Sequence, residues 1–261
     1  MPADGISRKS FVKGLGLGAA ALSASFPAFI PKLGEAAEVI KIGQVEELTG
    51  VYAAVARNEV RGAALAADWW NRKGGVLGRK VQVVVEDNQN NPGVSVEKTR
   101  KLINEDKVVG IIGALNSGAS LATSNAANSL GAFYIASGHS DIITGKDCHW
   151  GTFQTCHTTW QITQATGFSI AKLFGKKWYL ITPDYAFGHS LADGYAAVAK
   201  RIGGSIVAND LTPLGTSDFS PYLTKIAAAK PDCVLALVAG GDWVNLMKQA
   251  GTYGVLKSFP V

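Results

Sequence analysis

From Val39 onward, short apolar runs alternate with stretches whose apolar residues recur every three or four positions. Ile40–Val45, Val81–Glu86, Val108–Gly113, Phe133–Ala136, Tyr179–Thr182, Ser205–Ala208 and Val234–Val238 predict strands. Most are near-continuous in Val, Ile and Leu, the pattern of parallel strands covered on both faces. The segments between them predict helices. Ala63, Ala66, Ala67 and Trp70 share a face whose small residues let a helix sit close to a sheet. Val96, Thr99 and Ile103 form a second stripe, and Leu191, Tyr195, Val198 and Ile202 the clearest one. Regular β–α alternation predicts an α/β fold with right-handed crossovers.

The rhythm breaks between Gly138 and Thr159. Ser137-Gly138-His139-Ser140-Asp141 is turn chemistry, and Thr152–Thr155 reads as one short strand. Alternation restarts with a helix over Trp160–Phe174. Two α/β units joined near Cys156–Thr159 account for this: an N-terminal lobe over 38–157 and a C-terminal lobe over 158–261. Residues 1–37 have a different character. A basic head (Arg8, Lys9, Lys13) precedes an uncharged apolar stretch from Gly14 to Ile30, and small residues follow up to Ala36 and Ala37. That order is an export signal cleaved after Ala36 or Ala37. Its head resembles the twin-arginine signal with Lys9 in place of the second Arg, so a Tat-like or a Sec route fits. Gly and Pro weaken the stretch as a permanent membrane helix. The expected location of the mature chain is the periplasm.

Composition narrows the class. With 47% hydrophobic and 17% charged residues, the 261-residue chain is neither disordered nor a coiled coil. The net charge is +5, of which Arg8, Lys9, Lys13 and Lys32 against Asp4 and Glu35 supply +2. A remainder of +3 spread over the rest is no nucleic-acid footprint. Three cysteines, Cys148, Cys156 and Cys233, allow one disulfide at most, so the fold must rest on buried apolar area.

The start of the mature chain carries Ile42-Gly43, Leu48-Thr49-Gly50, Glu59, Gly62-Ala63, Asn71-Arg72-Lys73-Gly74-Gly75-Val76-Leu77-Gly78 and Val85-Glu86-Asp87. Further on come Ile112 to Gly118, Asp184-Tyr185-Ala186-Phe187-Gly188 and Pro231-Asp232. Gly74 and Gly75 suit a left-handed helix C-cap, and Gly78 a tight return into a strand. In order and spacing these segments, from Val39 to the last residue, resemble the solute-binding proteins of branched-chain amino-acid (Leu/Ile/Val) ABC importers. The resemblance implies a type I periplasmic-binding fold: two Rossmann-like three-layer α/β lobes hinged around a cleft that closes over a small ligand. It implies no enzymatic activity and no cofactor. The implied partners are an amino-acid-like ligand (branched-chain amino acid, amide or related carboxylate) and an inner-membrane ABC permease, with its ATPase behind it. The binding protein itself would be a monomer. A ligand-sensing receptor module of the same fold is the alternative.

The resemblance also implies roles. Ser117 would hold a ligand carboxylate at a helix start, while Gly138 and Ser140 would take the ammonium and carboxylate. Tyr185 and Phe187 would wall or cover the cleft, and Gly240, with Ala239, would stand at a further wall. The family's first-loop aromatic falls on Val55, leaving Tyr52 as its substitute. The ammonium-binding acid would lie beyond Val261, with Asp242 a possible cleft acid off the family position. A strand begins at Ser258, before the family's usual return to the first lobe, so the C-terminal part is expected to be missing.

Each residue has a plainer reading. Ser117 would simply cap its helix, Ser140 form a turn, and Tyr185 and Phe187 pack. Trp69 and Trp70 read as helix-packing residues. The repeated Cys148-His149 and Cys156-His157 dipeptides raise zinc, but positions eight apart on a straight strand lie roughly 26 Å from each other. A disulfide within that segment or to Cys233, or three ordinary thiols, is left open. Gly188-His189-Ser190 lacks the strand–Ser–helix context and the following His of a hydrolase.

Overall fold

All seven apolar runs, and the short segment after Gly151, form strands in two wholly parallel sheets. The computed structural model describes residues 38–261, so the export signal expected over 1–37 lies outside the described residues. The first sheet contains β1 (Ile40–Glu46), β2 (Val81–Asp87), β3 (Gly110–Gly113), β4 (Phe133–Ala136) and β5 (Thr152–Gln154), in the order β2-β1-β3-β4-β5. The second contains β6 (Lys177–Pro183), β7 (Ser205–Thr212) and β8 (Cys233–Ala236), in the order β7-β6-β8. Helices α1 (Ala53–Arg72), α2 (Pro92–Asn104) and α3 (Ser117–Ser129) link strands of the first sheet. α4 (Thr159–Phe174) leads into β6 and α5 (Ala186–Arg201) joins β6 to β7. The short α6 (Ser220–Leu223) and α7 (Ile226–Ala229) precede β8; α8 (Gly240–Thr252) and α9 (Val255–Ser258) follow it.

In β6 the side chains alternate between two cores. Trp178 and Leu180 pack with Leu191, Tyr195 and Val198 of α5. Tyr179 and Ile181 pack on the other face with Phe219, Ile226 and Leu246. Each such buried side chain contributes about 1.5–3 kcal/mol of transfer free energy, so covering both faces fixes the register of this strand. The stripe Leu191, Tyr195, Val198 is buried as its periodicity predicts.

The first sheet is covered unequally. Val45, Ile111, Tyr134 and Ala136 form one core with Leu102 of α2 and Ala127 of α3. Two parallel crossovers of the same hand place α1 on the opposite face. There it buries only Ala56 completely. The expected packing face of α1 is thus corrected: Ala63 and Ala67 are half-buried, and Ala66 and Trp70 are exposed. Trp69 and Trp70 are about half exposed and meet edge to face, with the Lys73 ammonium over the Trp69 ring. Small side chains offered close approach, but over β3 and β4 no second helix stands beside α1 among the described residues. Ile112 and Ile135 are half-buried there.

The α1 helix ends as its glycines predict. Gly75 has φ +82°, and its N–H donates to the Trp70 carbonyl at 2.9 Å. A Cβ there would lie 2.0 Å from the Arg79 carbonyl oxygen, so only glycine fits. The strand expected from Ser258 is not formed among the described residues. Ser258 closes α9, and extension begins at Phe259, where the Pro260 carbonyl accepts from the Val234 N–H at 2.9 Å. Cys148, Cys156 and Cys233 are free thiols. No helix of the described residues is long and apolar enough to cross a membrane.

Candidate functional site

A cavity of about 180 Å³ lies where the loops after β3 and β4 meet the helix starts after β6 and β8. This is the C-terminal edge of both sheets, where open parallel sheets form their ligand crevices. Tyr52 and Val55 come from the start of α1, Leu115 from the loop after β3, and His139 from the turn after β4. His157 and Ile162 come from the entry to α4. The opposite wall is Tyr185 and Phe187 at the start of α5, and Ala239 and Gly240 at the start of α8. Four residues expected from the sequence, Tyr52, Tyr185, Phe187 and Gly240, are therefore brought together.

The wall is mostly apolar and aromatic. Tyr185 and Phe187 have ring centroids 6.1 Å apart, and Phe187 meets His139 at 6.2 Å. The Tyr52 and Tyr185 hydroxyls are hydrogen-bonded to each other across the cavity. Burial pushes the Tyr52 phenol up to about 12, and burial followed by its neighbour Tyr52 raises Tyr185 well above the usual range. Both stay protonated at neutral pH. Gly240 has φ +61°, and a Cβ there would stand 2.7 Å from the Val51 carbonyl and 2.9 Å from the Tyr52 ring. The neighbouring Gly241 N–H donates to that carbonyl at 3.0 Å. Glycine at this point lets the α8 start close on the α1 start.

His139 is a polar member of the first wall, beside Tyr52 and His157. Its Nδ1 lies 2.9 Å from the His157 carbonyl, which can only accept, so Nδ1 bears the proton. Burial lowers the His139 pKa. The ring is thus neutral at pH 7, with Nε2 an acceptor. The buried Glu47 carboxyl positions Leu115 by accepting its N–H at 2.9 Å, and is itself held by Asn88 at 2.7 Å. Burial raises the Glu47 pKa.

Ser117, Gly138 and Ser140 do not line this cavity; they build the turn that presents His139. The Ser117 hydroxyl accepts from the His139 and Ser140 N–H groups, both at 3.1 Å. Ser140 Oγ lies 2.7 Å from Ser190 Oγ of α5, a buried contact between segments from the two sheets. The Gly138 carbonyl accepts from Gln154 at 2.7 Å and from the Cys156 thiol at 3.2 Å. A Cβ on Gly138 would lie 2.6 Å from Ser120 Cβ. The α3 cap expected of Ser117 is made by Asn116, whose Oδ1 accepts from Gly118 and Ala119 at 2.8 and 3.1 Å. Asp242 is buried away from the cavity lining, with Oδ2 accepting from Gly215 at 2.9 Å. No group of three His, Cys, Asp or Glu residues among the described residues is placed to hold a metal.

The five helix starts around the cavity differ in kind, and α1 at Tyr52 has no side-chain cap. Asn116 caps α3 and Thr158 caps α4 with a reciprocal capping box, but no side chain caps α5 at Tyr185 or α8 at Ala239. Three helix starts without a side-chain cap, those of α1, α5 and α8, therefore line the cavity, and the α8 Gly241 N–H is already taken by the Val51 carbonyl; the remaining free N–H groups make a setting for an anion. Sequence reasoning missed His139, His157, Leu115 and Ile162. The Gly-His-Ser turn was visible, but which of its members faces the cavity depends on Ser117 fixing its backbone.

Two parallel sheets with a cavity between their C-terminal loops define a class of two-sheet cleft binders. The sequence profile of periplasmic binding proteins matches residues 39–261, and the chain belongs to that family, whose members are solute-binding proteins rather than enzymes. It is 30% identical over 196 residues to a Leu/Ile/Val-binding protein of Rhizobium johnstonii, covering 75% of this chain and 53% of that one. A periplasmic binding protein of Burkholderia mallei superposes with a TM-score of 0.81 at 30% identity, covering 86% of this chain and 60% of that chain. A solute-binding protein of an R. palustris ABC transporter, solved with benzoate, gives 0.78 at 29%, covering 83% and 60%. The chain thus spans little more than half the length of these relatives.

Proposed function

We propose that this chain is the extracytoplasmic solute-binding component of an ABC importer, taking a small monocarboxylate with an apolar or aromatic body. The observation that carries this reading is the cavity itself: its walls come from segments of both sheets, and helix starts without side-chain caps meet aromatic rings there. Residues 38–157 and 158–261 act as hinged lobes. Ligand binding shifts their population toward the closed form that an inner-membrane permease recognises. The protein works as a monomer and is exported by its first 37 residues.

The ligand's body packs between Tyr52, Tyr185, Phe187 and His139, with its carboxylate at the α5 and α8 starts. No Asp or Glu lines the cavity, so an ammonium group would have to rely on carbonyl oxygens and the His139 Nε2. This favours a benzoate-like acid over a zwitterionic amino acid. The R. palustris relative holds benzoate, and the Rhizobium relative is named for leucine, isoleucine and valine, so these are the two probes to compare. Calorimetric titration with benzoate and with leucine tests the reading. Saturable benzoate binding, tighter than leucine and lost in Tyr185→Ala, is expected. Binding of neither compound, nor of other small carboxylates, overturns it.

A further inference from the structure

Among the described residues that line the cleft, His139 is the polar side chain whose hydrogen-bonding sense the chain itself fixes. Its backbone N–H donates to Ser117 Oγ at 3.1 Å, and its carbonyl accepts from the Thr159 N–H at 2.8 Å. The Nδ1–H is spent on the His157 carbonyl at 2.9 Å, and the ring meets Phe187 edge-on with centroids 6.2 Å apart. Held at backbone and ring, the imidazole has little freedom to turn. Nε2, on the other side of the ring, takes no hydrogen bond among the described residues.

The other polar side chains of the lining offer no such fixed acceptor. The Tyr52 and Tyr185 hydroxyls are bonded to each other. His157 lends its carbonyl to His139, and its ring stands 4.5 Å from the His139 ring, centroid to centroid. No hydrogen bond among the described residues sets the His157 tautomer, so that ring can present a donor or an acceptor and selects neither. The titratable groups that face His139 are His157 from the α4 entry and Glu59 from α1; its neighbour from α5 is the uncharged Phe187. Burial lowers the His139 pKa and outweighs the opposite pull of the His157 carbonyl and Glu59, while the His157 ring adds to the lowering. Nε2 is thus an acceptor at neutral pH.

We infer that His139 determines specificity: its Nε2 accepts a hydrogen bond from a hydroxyl on the ring of the bound acid, so that the preferred ligands are hydroxylated aromatic monocarboxylates. This rests on the reading of the cleft as a monocarboxylate site. The carboxylate takes free N–H groups at the α5 and α8 starts, on one wall, and the ring hydroxyl meets the wall to which His139 belongs. A ligand without a donor there strips water from Nε2 and returns nothing, which is how a polar pocket rejects an analogue lacking a hydroxyl. Because the imidazole is already held in place, little ordering is needed when the hydroxyl arrives.

Calorimetric titrations at pH 7.5 compare 3- and 4-hydroxybenzoate with 3- and 4-fluorobenzoate, which are close to them in size and lack the donor. The better hydroxy acid should bind at least about tenfold tighter than its fluoro counterpart. His139→Phe keeps a ring beside Phe187 and should remove that preference. His139→Gln, whose amide can donate to the His157 carbonyl and still accept, should keep part of it. The ratio of the two affinities is read in each variant, so a general weakening of the site does not imitate the effect. Where His139→Phe does not fold, nitrogen-15 NMR of the histidine-labelled parent decides. The His139 Nε2 resonance, assigned by its loss in His139→Gln, should move toward the protonated range with the hydroxy acid and not with the fluoro acid. Equal affinities for the hydroxy and fluoro acids, a preference unchanged in His139→Phe, or an Nε2 resonance that responds alike to both overturns the inference and leaves the monocarboxylate reading standing. Binding of none of the four acids overturns both.

Discussion

The Tyr52 hydroxyl meets the Tyr185 hydroxyl across the cavity, from positions 133 residues apart in the chain. Each ring belongs to a different sheet's loops, and the pair closes one side of the cleft. The same two residues therefore serve as wall and as clasp. Their ring centroids stand 6.4 Å apart at 56°, so the contact is made by the oxygens and not by stacking.

Tyr185→Phe separates those roles. The ring stays, the clasp goes, and the Tyr52 hydroxyl is left buried without its partner. The expected loss is about 1–3 kcal/mol, or a fall of roughly 2–10 °C in the melting midpoint for a chain of this size. Scanning calorimetry reads it. Benzoate affinity should fall only a few-fold, because the aromatic wall remains, whereas Tyr185→Ala should lose at least about tenfold. An unchanged midpoint in the Phe variant would show that the clasp holds nothing.

Ser117→Ala strikes the turn from beneath. Two backbone N–H groups, of His139 and Ser140, lose their shared acceptor in a site closed to water. Each orphaned donor costs about 1–3 kcal/mol, and urea unfolding should show a loss of about 2–6 kcal/mol for the two. His139 loses the support of its backbone, so benzoate binding should weaken even though Ser117 lies outside the cavity lining. Adding Ser140→Ala removes the contact to Ser190 as well, and the pair together should weaken binding at least about tenfold. If binding in the double variant matches the parent, the turn does not position the site.

Much of this was legible beforehand because one period governs it. Strand runs such as Phe133–Ala136 and the α5 stripe Leu191, Tyr195, Val198 are set by local apolar spacing, and the fold supplied what the spacing required. Tyr52, Tyr185, Phe187 and Gly240 were legible for a related reason: they sit at helix starts just after strands, where parallel sheets open. The exposed face of α1 was not legible, since Ala63, Ala66 and Ala67 describe how near a neighbour can come and not whether one is there. Ser117 and Ser140 spend their hydroxyls on the chain itself, outside the cavity lining, and the sequence cannot separate that use from a ligand's because a hydroxyl at a helix start serves both equally well. Only the backbone of residues 137–140 decides between the two.

Gly240→Ala tests how closely the two halves must approach. At φ +61° an alanine is strained, and its methyl would press on the Val51 carbonyl and the Tyr52 ring. The α8 start must then retreat, opening the wall and tilting that helix start away. Benzoate binding is expected to fall at least about tenfold, while the core around Leu246 keeps the far-UV circular dichroism unchanged. Parental affinity in this variant would mean that the α8 start is not part of the site.

Glu46 makes a prediction for pH. Its carboxyl titrates near 10 in the folded chain, against about 4.5 when exposed, with burial the main cause and Glu59 next. Between those values the folded state holds a proton that the unfolded state has released, so folding becomes less favourable as pH rises. The effect is absent below the unfolded value, grows through neutrality and levels off above the folded one. Each such proton gives a slope of at most about 1.4 kcal/mol per pH unit. Urea unfolding between pH 6 and 9 should therefore show stability falling with pH, and Glu46→Gln, which cannot ionise, should flatten that fall. Equal slopes in the two proteins would place the Glu46 carboxyl back in the ordinary range.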